Sequence, residues 1–144
     1  MTSWKWRDAV TIPTFAGVSH ISFSARDAEA SAAWWRDVMG FEEYARVSGD
    51  DWFGIVLVHP PTSTLVEFQQ HDANDGESFD PRRTGLDHMG LRVPDRGQLS
   101  VWEEHFHRSG VDHTPIVDAE YGSVLTFRDP DMRQYELFYR VNHP

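Results

Sequence analysis

An internal repeat limits what this chain can fold into more than any other feature of its sequence. The segment Gly17-Val-Ser-His20 reappears as Gly85-Leu-Asp-His88, a shift of 68 residues. With one further residue inserted, Glu67 aligns with Glu136. Repetition at a fixed spacing indicates that one supersecondary unit occurs twice. We therefore predict that the fold consists of two copies of one module.

The two copies belong to a single domain. A chain of 144 residues has the usual size of one domain, so we predict one domain over residues 1–144. The first module is placed at 15–72 and the second at 84–141. The polar segment 72–83 is predicted to be a linker, and we hypothesise that it forms a mobile lid.

Each module begins with alternating apolar and polar residues, in Val18–Ala25 and in Leu86–Val93. A period of two is typical of a strand with one buried face. A helix follows in each copy, with Asp and Gly residues suited to its two ends. Three β-rich runs complete each copy, so each module is predicted as βαβββ and the fold class as α+β with mixed sheets. The predicted helix caps are Asp27, Gly40, Asp95 and Gly110, and the later strands are Glu43–Val47, Trp52–His59, Ser63–Gln70, Thr114–Asp118, Ser123–Arg128 and Arg133–Arg140.

Composition excludes several classes of protein. The chain has no cysteine, which rules out disulfide scaffolds, zinc–thiolate sites and cysteine nucleophiles. Its 13 Lys and Arg against 23 Asp and Glu give a net charge of −10, which repels a phosphate backbone, so nucleic-acid binding is not expected. No apolar run reaches the roughly 18–20 residues of a membrane helix, and no secretory signal is visible. We expect a cytoplasmic protein without a membrane segment.

Four residues at equivalent positions in the two modules are candidate metal ligands. His20 and His88 lie on the first strand of each module, opposite its apolar residues, and Glu67 and Glu136 lie on the last strand. A pseudo-twofold axis would bring the four side chains together on one concave surface. Two imidazoles and two carboxylates suit Ni, Co, Zn, Mn or Fe(II), so we predict one divalent metal per site. The assignment of Glu67 depends on strand register, because a shift of one residue would turn it into the core.

Four segments of the chain resemble the vicinal oxygen chelate superfamily, which includes glyoxalase I, bleomycin-resistance proteins, fosfomycin-resistance proteins and extradiol dioxygenases. The resemblance covers about residues 15–141. It is specific for the superfamily and carries little information about the reaction. The segments are Gly17-Val-Ser-His20-Ile-Ser-Phe, Ala30-Ser-Ala-Ala-Trp-Trp-Arg-Asp-Val-Met-Gly-Phe41, Gly85-Leu-Asp-His88-Met-Gly-Leu-Arg-Val-Pro and Phe127-Arg-Asp-Pro-Asp-Met-Arg-Gln-Tyr-Glu136-Leu.

The resemblance implies paired, cupped modules around a metal cleft, a small-molecule substrate with two neighbouring oxygens, and a homodimer. By position, His20, Glu67, His88 and Glu136 resemble the four metal ligands of glyoxalase I. Without Glu67, the other three would make the facial triad of fosfomycin-resistance proteins and extradiol dioxygenases. The leading expectation is a glyoxalase I-like lyase or isomerase, in which metal-bound Glu136 or Glu67 removes a proton beside a carbonyl.

Other functions remain open. A bleomycin-resistance-like protein would sequester a cationic aromatic drug without a metal, a role suited to the net charge of −10. Its cleft could be lined by Trp34, Trp35, Trp52 and Phe53, although such aromatic residues are more often core. An extradiol dioxygenase-like or thiol-transferase resistance enzyme ranks third, because Thr126 stands where the dioxygenases carry a tyrosine.

Several residues have no firm assignment from the sequence. The arginines Arg26, Arg36 and Arg92 could hold the carboxylates of a glutathione-type substrate or could be ordinary solvated charges. Trp4 and Trp6, in the segment 1–14 outside the repeat, could contact either solvent or a partner.

Overall fold

The computed structural model describes residues 12–144. The tryptophans Trp4 and Trp6 lie outside the described residues. Two four-stranded mixed sheets and two helices make up the fold, which confirms the α+β class. No helix within the described part has the length and apolar character needed to cross a membrane.

Each sheet is built from one copy of the repeat. The first contains β1 (Ile21–Ser24), β2 (Glu42–Ser48), β3 (Trp52–His59) and β4 (Thr64–His71), with helix α1 (Ala28–Met39) between β1 and β2. The second contains β5 (His88–Arg92), β6 (Val117–Ala119), β7 (Gly122–Arg128) and β8 (Gln134–Arg140), with helix α2 (Arg96–Ser109) between β5 and β6.

The two sheets have the same topology. Their strand orders are β1-β4-β3-β2 and β5-β8-β7-β6. In each, the first and last strands of the module run parallel, while the other neighbours run antiparallel. The first strand therefore lies at an edge, directly beside the strand that carries the candidate glutamate.

Local capping explains where the helices begin and end. Asp27 accepts a hydrogen bond from the Ala30 amide at 3.0 Å, and Asp95 accepts one from the Gln98 amide at 3.0 Å. Such caps satisfy amides that have no partner within the helix. Gly40 and Gly110 end the helices in the left-handed region, at φ 74° and 67°. All four predicted caps are confirmed.

Most strand boundaries differ from the predictions by one or two residues, and the starts of two strands differ by three. The first strand begins at Ile21, so His20 lies just before it. The predicted strand Thr114–Asp118 is reduced to Val117–Ala119, because Thr114 bonds to Thr126 through both its amide and its hydroxyl as an irregular extension.

Both sheets bury their apolar faces in one shared core. Trp35 of α1 is fully buried and its ring lies 5.8 Å from Phe68 of the first sheet and 5.1 Å from Tyr135 of the second. Trp34 stacks on Phe127 of β7 at 6.3 Å. These two tryptophans pack between the modules, so the suggestion that they line a ligand cleft is not supported by their positions.

A buried ion cluster also joins the modules. Arg133 donates to Asp129 at 2.6 Å and to Asp131 at 2.7 Å, and it reaches the backbone carbonyl of Ser24 in the first module. Arg26, two residues after the end of β1, donates hydrogen bonds from its amide and its side chain to the same Asp131 at 3.0 and 2.8 Å. Buried charges are tolerated only when paired and hydrogen-bonded, so this cluster makes the relative placement of the modules specific.

Candidate metal site

The second module presents a histidine–glutamate pair on its polar face. Strands β5 and β8 run parallel with Gly90 opposite Glu136, which places Glu136 diagonally across from His88. The Nε2 atom of His88 lies 3.6 Å from Oε2 of Glu136. Their side chains are 46% and 25% exposed. The pair is therefore open to a ligand and close enough for one cation to contact both.

Asp87 orients the ring of His88. Its carboxylate lies 2.7 Å from Nδ1 of His88, which leaves Nε2 facing Glu136. This hydrogen bond raises the pKa of the His88 imidazole above its ordinary value. Metal-binding histidines commonly use their second nitrogen in this way, which fixes the tautomer and the ring orientation.

The first module repeats the arrangement with the same register. Ser22 pairs with Glu67 on β1 and β4, just as Gly90 pairs with Glu136 on β5 and β8. His20 precedes Ser22 by two residues, as His88 precedes Gly90. His20 is exposed, and its Nδ1 lies 3.0 Å from the hydroxyl of Ser19.

Glu67 is held more tightly than its counterpart. It is 6% exposed, and its Oε1 accepts a hydrogen bond from Gln69 at 3.1 Å. The carboxylate occupies the space beside Gly54 on β3, where any Cβ would collide with it. A glycine inside an apolar strand can mark such a close approach. The glycine in the apolar run 52–59 was therefore the sequence signal that a side chain packs against Gly54.

The two pairs do not meet within one chain. Among residues 12–144, no group of three or more His, Asp or Glu side chains is placed to hold a metal ion. The cavity that His88 and Glu136 line is formed entirely by residues of the second module and the short segment that follows it. Each module thus carries two of the four candidate donors, and the expected convergence of all four side chains is not seen within the single chain.

Comparison with known proteins agrees with this architecture. The family model of the Glyoxalase/Bleomycin resistance protein/Dioxygenase superfamily matches residues 17–137. The chain belongs to this superfamily. The resemblance inferred from the sequence is thereby confirmed.

Three similar proteins illustrate the range of the superfamily. A domain of the glyoxylase/bleomycin resistance protein/dioxygenase type from Frankia sp. EAN1pec is 31% identical, with a TM-score of 0.82 over 88% of this chain and 99% of that chain. A variant of the fosfomycin resistance protein FosX from Listeria monocytogenes, complexed with Mn(II) and 1S,2S-dihydroxypropylphosphonic acid, is 18% identical, with a TM-score of 0.66 over 87% and 90% of the two chains. This second likeness shows the fold alone.

The third is a protein of Bacillus subtilis (strain 168) named "Putative ring-cleaving dioxygenase MhqA". It is 25% identical over 126 residues, which are 86% of this chain. The present chain spans only 40% of the length of that relative.

Several cavities border the sheets of this superfamily member. One of about 340 Å³ lies on the polar face of the second sheet, and His88, Glu136 and Arg92 line it. A second, of about 480 Å³, runs along the linker and also touches His88. A third, of about 400 Å³, is largely apolar and lies between the modules beside Trp102. The first cavity contains two of the four candidate donors, His88 and Glu136, and is therefore the candidate site.

The three arginines considered in the sequence have different surroundings in the structure. Arg26 is paired with Asp131 in the ion cluster, and Arg36 lies 3.4 Å from Glu43. These two are structural or surface ion pairs, so they are not carboxylate-binding groups of the candidate site. Arg92 lines the candidate site with His88, and Arg140, which the sequence analysis did not consider, lines it too.

Proposed function

We propose that this protein is a metal-dependent enzyme that acts on a small molecule with two neighbouring oxygens. One divalent cation, Ni, Co, Zn, Mn or Fe(II), would be held by His20, Glu67, His88 and Glu136. The observation that carries the proposal is the 3.6 Å approach of His88 to Glu136, together with the same register at His20 and Glu67 in the other module.

The four candidate side chains have the chemistry that a divalent cation requires. Neutral imidazoles and carboxylates are ligands for borderline divalent cations, and the carboxylates balance the positive charge. Asp87 already orients one imidazole. When bound, the cation would supply Lewis-acid stabilisation of negative charge on the substrate oxygens.

We further propose that each complete site forms between two copies of the chain. The His20–Glu67 half of one copy would face the His88–Glu136 half of the other. Support comes from the exposure of both His20 and His88 and from the separation of the two halves within one chain. A twofold dimer would then contain two equivalent sites.

The reaction class proposed first is glyoxalase I-like isomerisation or lyase chemistry. In it, a glutamate takes a proton from the carbon beside a substrate carbonyl and returns it to the neighbouring carbon. Glu136 is the better candidate for this base, because it is open to the cavity. Glu67 is buried and hydrogen-bonded to Gln69, which suits a fixed ligand.

A ring-cleaving dioxygenase is the alternative that a specific observation favours. The Bacillus subtilis relative carries that name, and three of the four candidate donors would make the required triad. Against it, Thr126 pairs directly with Glu136 on the neighbouring strand, where the resemblance would place a tyrosine. A screen with catechols and with 2-oxoaldehyde–thiol adducts separates the two reactions. Ring cleavage of a catechol consumes oxygen, whereas isomerisation of a 2-oxoaldehyde–thiol adduct does not.

Metal analysis of His20→Ala and His88→Ala, alone and co-expressed, tests the shared site. A homodimer of either variant would lose metal, since both of its sites lack one histidine donor. A heterodimer would retain one intact site, formed by the unaltered halves. Random mixing makes about half of the dimers heterodimers, so about a quarter of the wild-type metal content should return.

The matched control is His107→Ala, which removes an exposed histidine of α2 and should leave the metal content unchanged. A co-expressed mixture holding no more metal than either single variant would exclude a site shared between chains. A wild-type protein that binds none of the five metals would overturn the enzyme proposal itself.

A further inference from the structure

The arginines of this acidic chain are almost all neutralised by nearby carboxylates. Eight of the eleven in residues 12–144 form ion pairs with Asp or Glu. Of the other three, Arg128 donates to the carbonyl of Met132 and to Gln134. Within the described part, Arg92 and Arg140 have neither a side-chain hydrogen bond nor an ion pair, and both line the cavity that contains His88 and Glu136.

Strand register places both guanidinium groups on the face of the candidate metal donors. Arg92 follows His88 by four residues on β5, and Arg140 follows Glu136 by four on β8. Since residues two apart share a face, donors and arginines lie on the same side of the sheet. At about 3.3 Å per residue, the Cα atom of each arginine lies roughly 13 Å along its strand from the Cα atom of the candidate donor on that strand.

The surroundings of these arginines favour a ligand. Arg140 lies over the ring of Phe138 at 5.0 Å, which holds its guanidinium by a cation–π contact. Between the donors and the arginines, Gly90 has nothing within 4 Å of the position its Cβ would occupy. The face therefore has open space on β5 between His88 and Arg92, while Phe138 lies between Glu136 and Arg140 on β8.

We propose that Arg92 and Arg140 bind an anionic group of the substrate, a carboxylate or a phosphonate. This inference rests on the proposed function, and it adds that the substrate carries its anionic group several bonds away from its two metal-binding oxygens. Guanidinium groups suit this role because their planar donors match carboxylate and phosphonate oxygens. The overall negative charge of the protein does not oppose local binding strongly, since salt screens charges beyond about 8 Å.

Titration of Mn(II)-loaded protein with methylphosphonate and, separately, with acetate tests the inference. Arg92→Gln and Arg140→Gln should each weaken binding of the preferred anion by about ten- to a hundredfold, the usual effect of losing a charge-assisted hydrogen bond. Tighter binding of methylphosphonate would identify a phosphonate-type group, and tighter binding of acetate a carboxylate. The matched control, Arg108→Gln, removes an exposed arginine that is paired with Glu104 on α2 and should bind as the wild type does.

A second measurement separates this inference from the proposed function. Mn(II) affinity should be unchanged in both arginine variants, because neither residue is a metal donor. If the wild type binds none of the five metals, the metal proposal fails, and the anion titration is then carried out on the metal-free protein; if it binds another of the five but not Mn(II), that metal replaces Mn(II) in the titration. The arginine inference is overturned if neither anion binds, if both variants bind like the wild type, or if they change only the oligomeric state.

Discussion

Replacing Asp131 tests whether the ion cluster fixes the placement of the two modules. Asp131 is 6% exposed and receives hydrogen bonds from Arg133 at 2.7 Å and from the amide and side chain of Arg26 at 3.0 and 2.8 Å. Asp131→Ala would leave the buried Arg133 with Asp129 as its single carboxylate partner. It would also leave the Arg26 amide without its acceptor.

The expected loss of stability follows from this burial. Leaving buried donors of Arg133 and the Arg26 amide without an acceptor costs about 1–3 kcal/mol. The loss stays below the roughly 3–5 kcal/mol of a fully unpaired buried charge, because Arg133 keeps its contact with Asp129. The side chain of Arg26 is 37% exposed, so its own ion pair contributes little to the loss. Asp131→Asn keeps the shape and one acceptor oxygen, and we expect about half the loss.

Urea denaturation followed by circular dichroism measures the free energy of unfolding. Asp37→Ala, which removes an exposed carboxylate of α1, is the control and should stay within about 0.5 kcal/mol of the wild type. An Asp131→Ala protein within about 1 kcal/mol of the wild type would refute the view that this cluster is a principal link between the modules.

Two further outcomes follow from the structure. Gly54→Ala would displace the carboxylate of Glu67 and should weaken Mn(II) binding by about tenfold. The control Gly85→Ala meets no neighbour and should leave Mn(II) binding unchanged; equal affinities in both variants would exclude Glu67 as a ligand. A hydrogen bond from Arg96 lowers the pKa of Asp118 to about 2, so the stabilisation it provides is present above the ordinary aspartate pKa of about 3.9 and is lost as the pH falls toward 2. The melting temperature of Asp118→Asn should therefore lie below that of the wild type at neutral pH and approach it on acidification, and a gap that persists at pH 2 would contradict this assignment.

The repeat made most of the fold predictable because each local signal agreed with the others. Alternation at Ile21–Ser24 and at His88–Arg92 marks strands in both copies. The capping residues Asp27 and Gly40 predict where the first helix begins and ends, and the structure confirms both ends. These features depend on neighbours in the chain, which is why they can be inferred without a tertiary structure.

Contacts between distant residues were beyond such reasoning. Nothing local to Trp35 indicates that it would touch both sheets. Likewise, the sequence does not distinguish the paired Arg26 from Arg92, which lines the candidate site. Such differences arise from which side chains the fold brings together.

The sequence by itself determined the two-module fold, the superfamily and the four candidate donors, because duplication and strand periodicity are written in neighbouring residues. Only the tertiary structure decided that His88 and Glu136 lie 3.6 Å apart, while the two donor pairs do not meet within one chain. The physical reason is that these distances depend on how aromatic side chains from both sheets pack in one core, which involves residues far apart in the sequence.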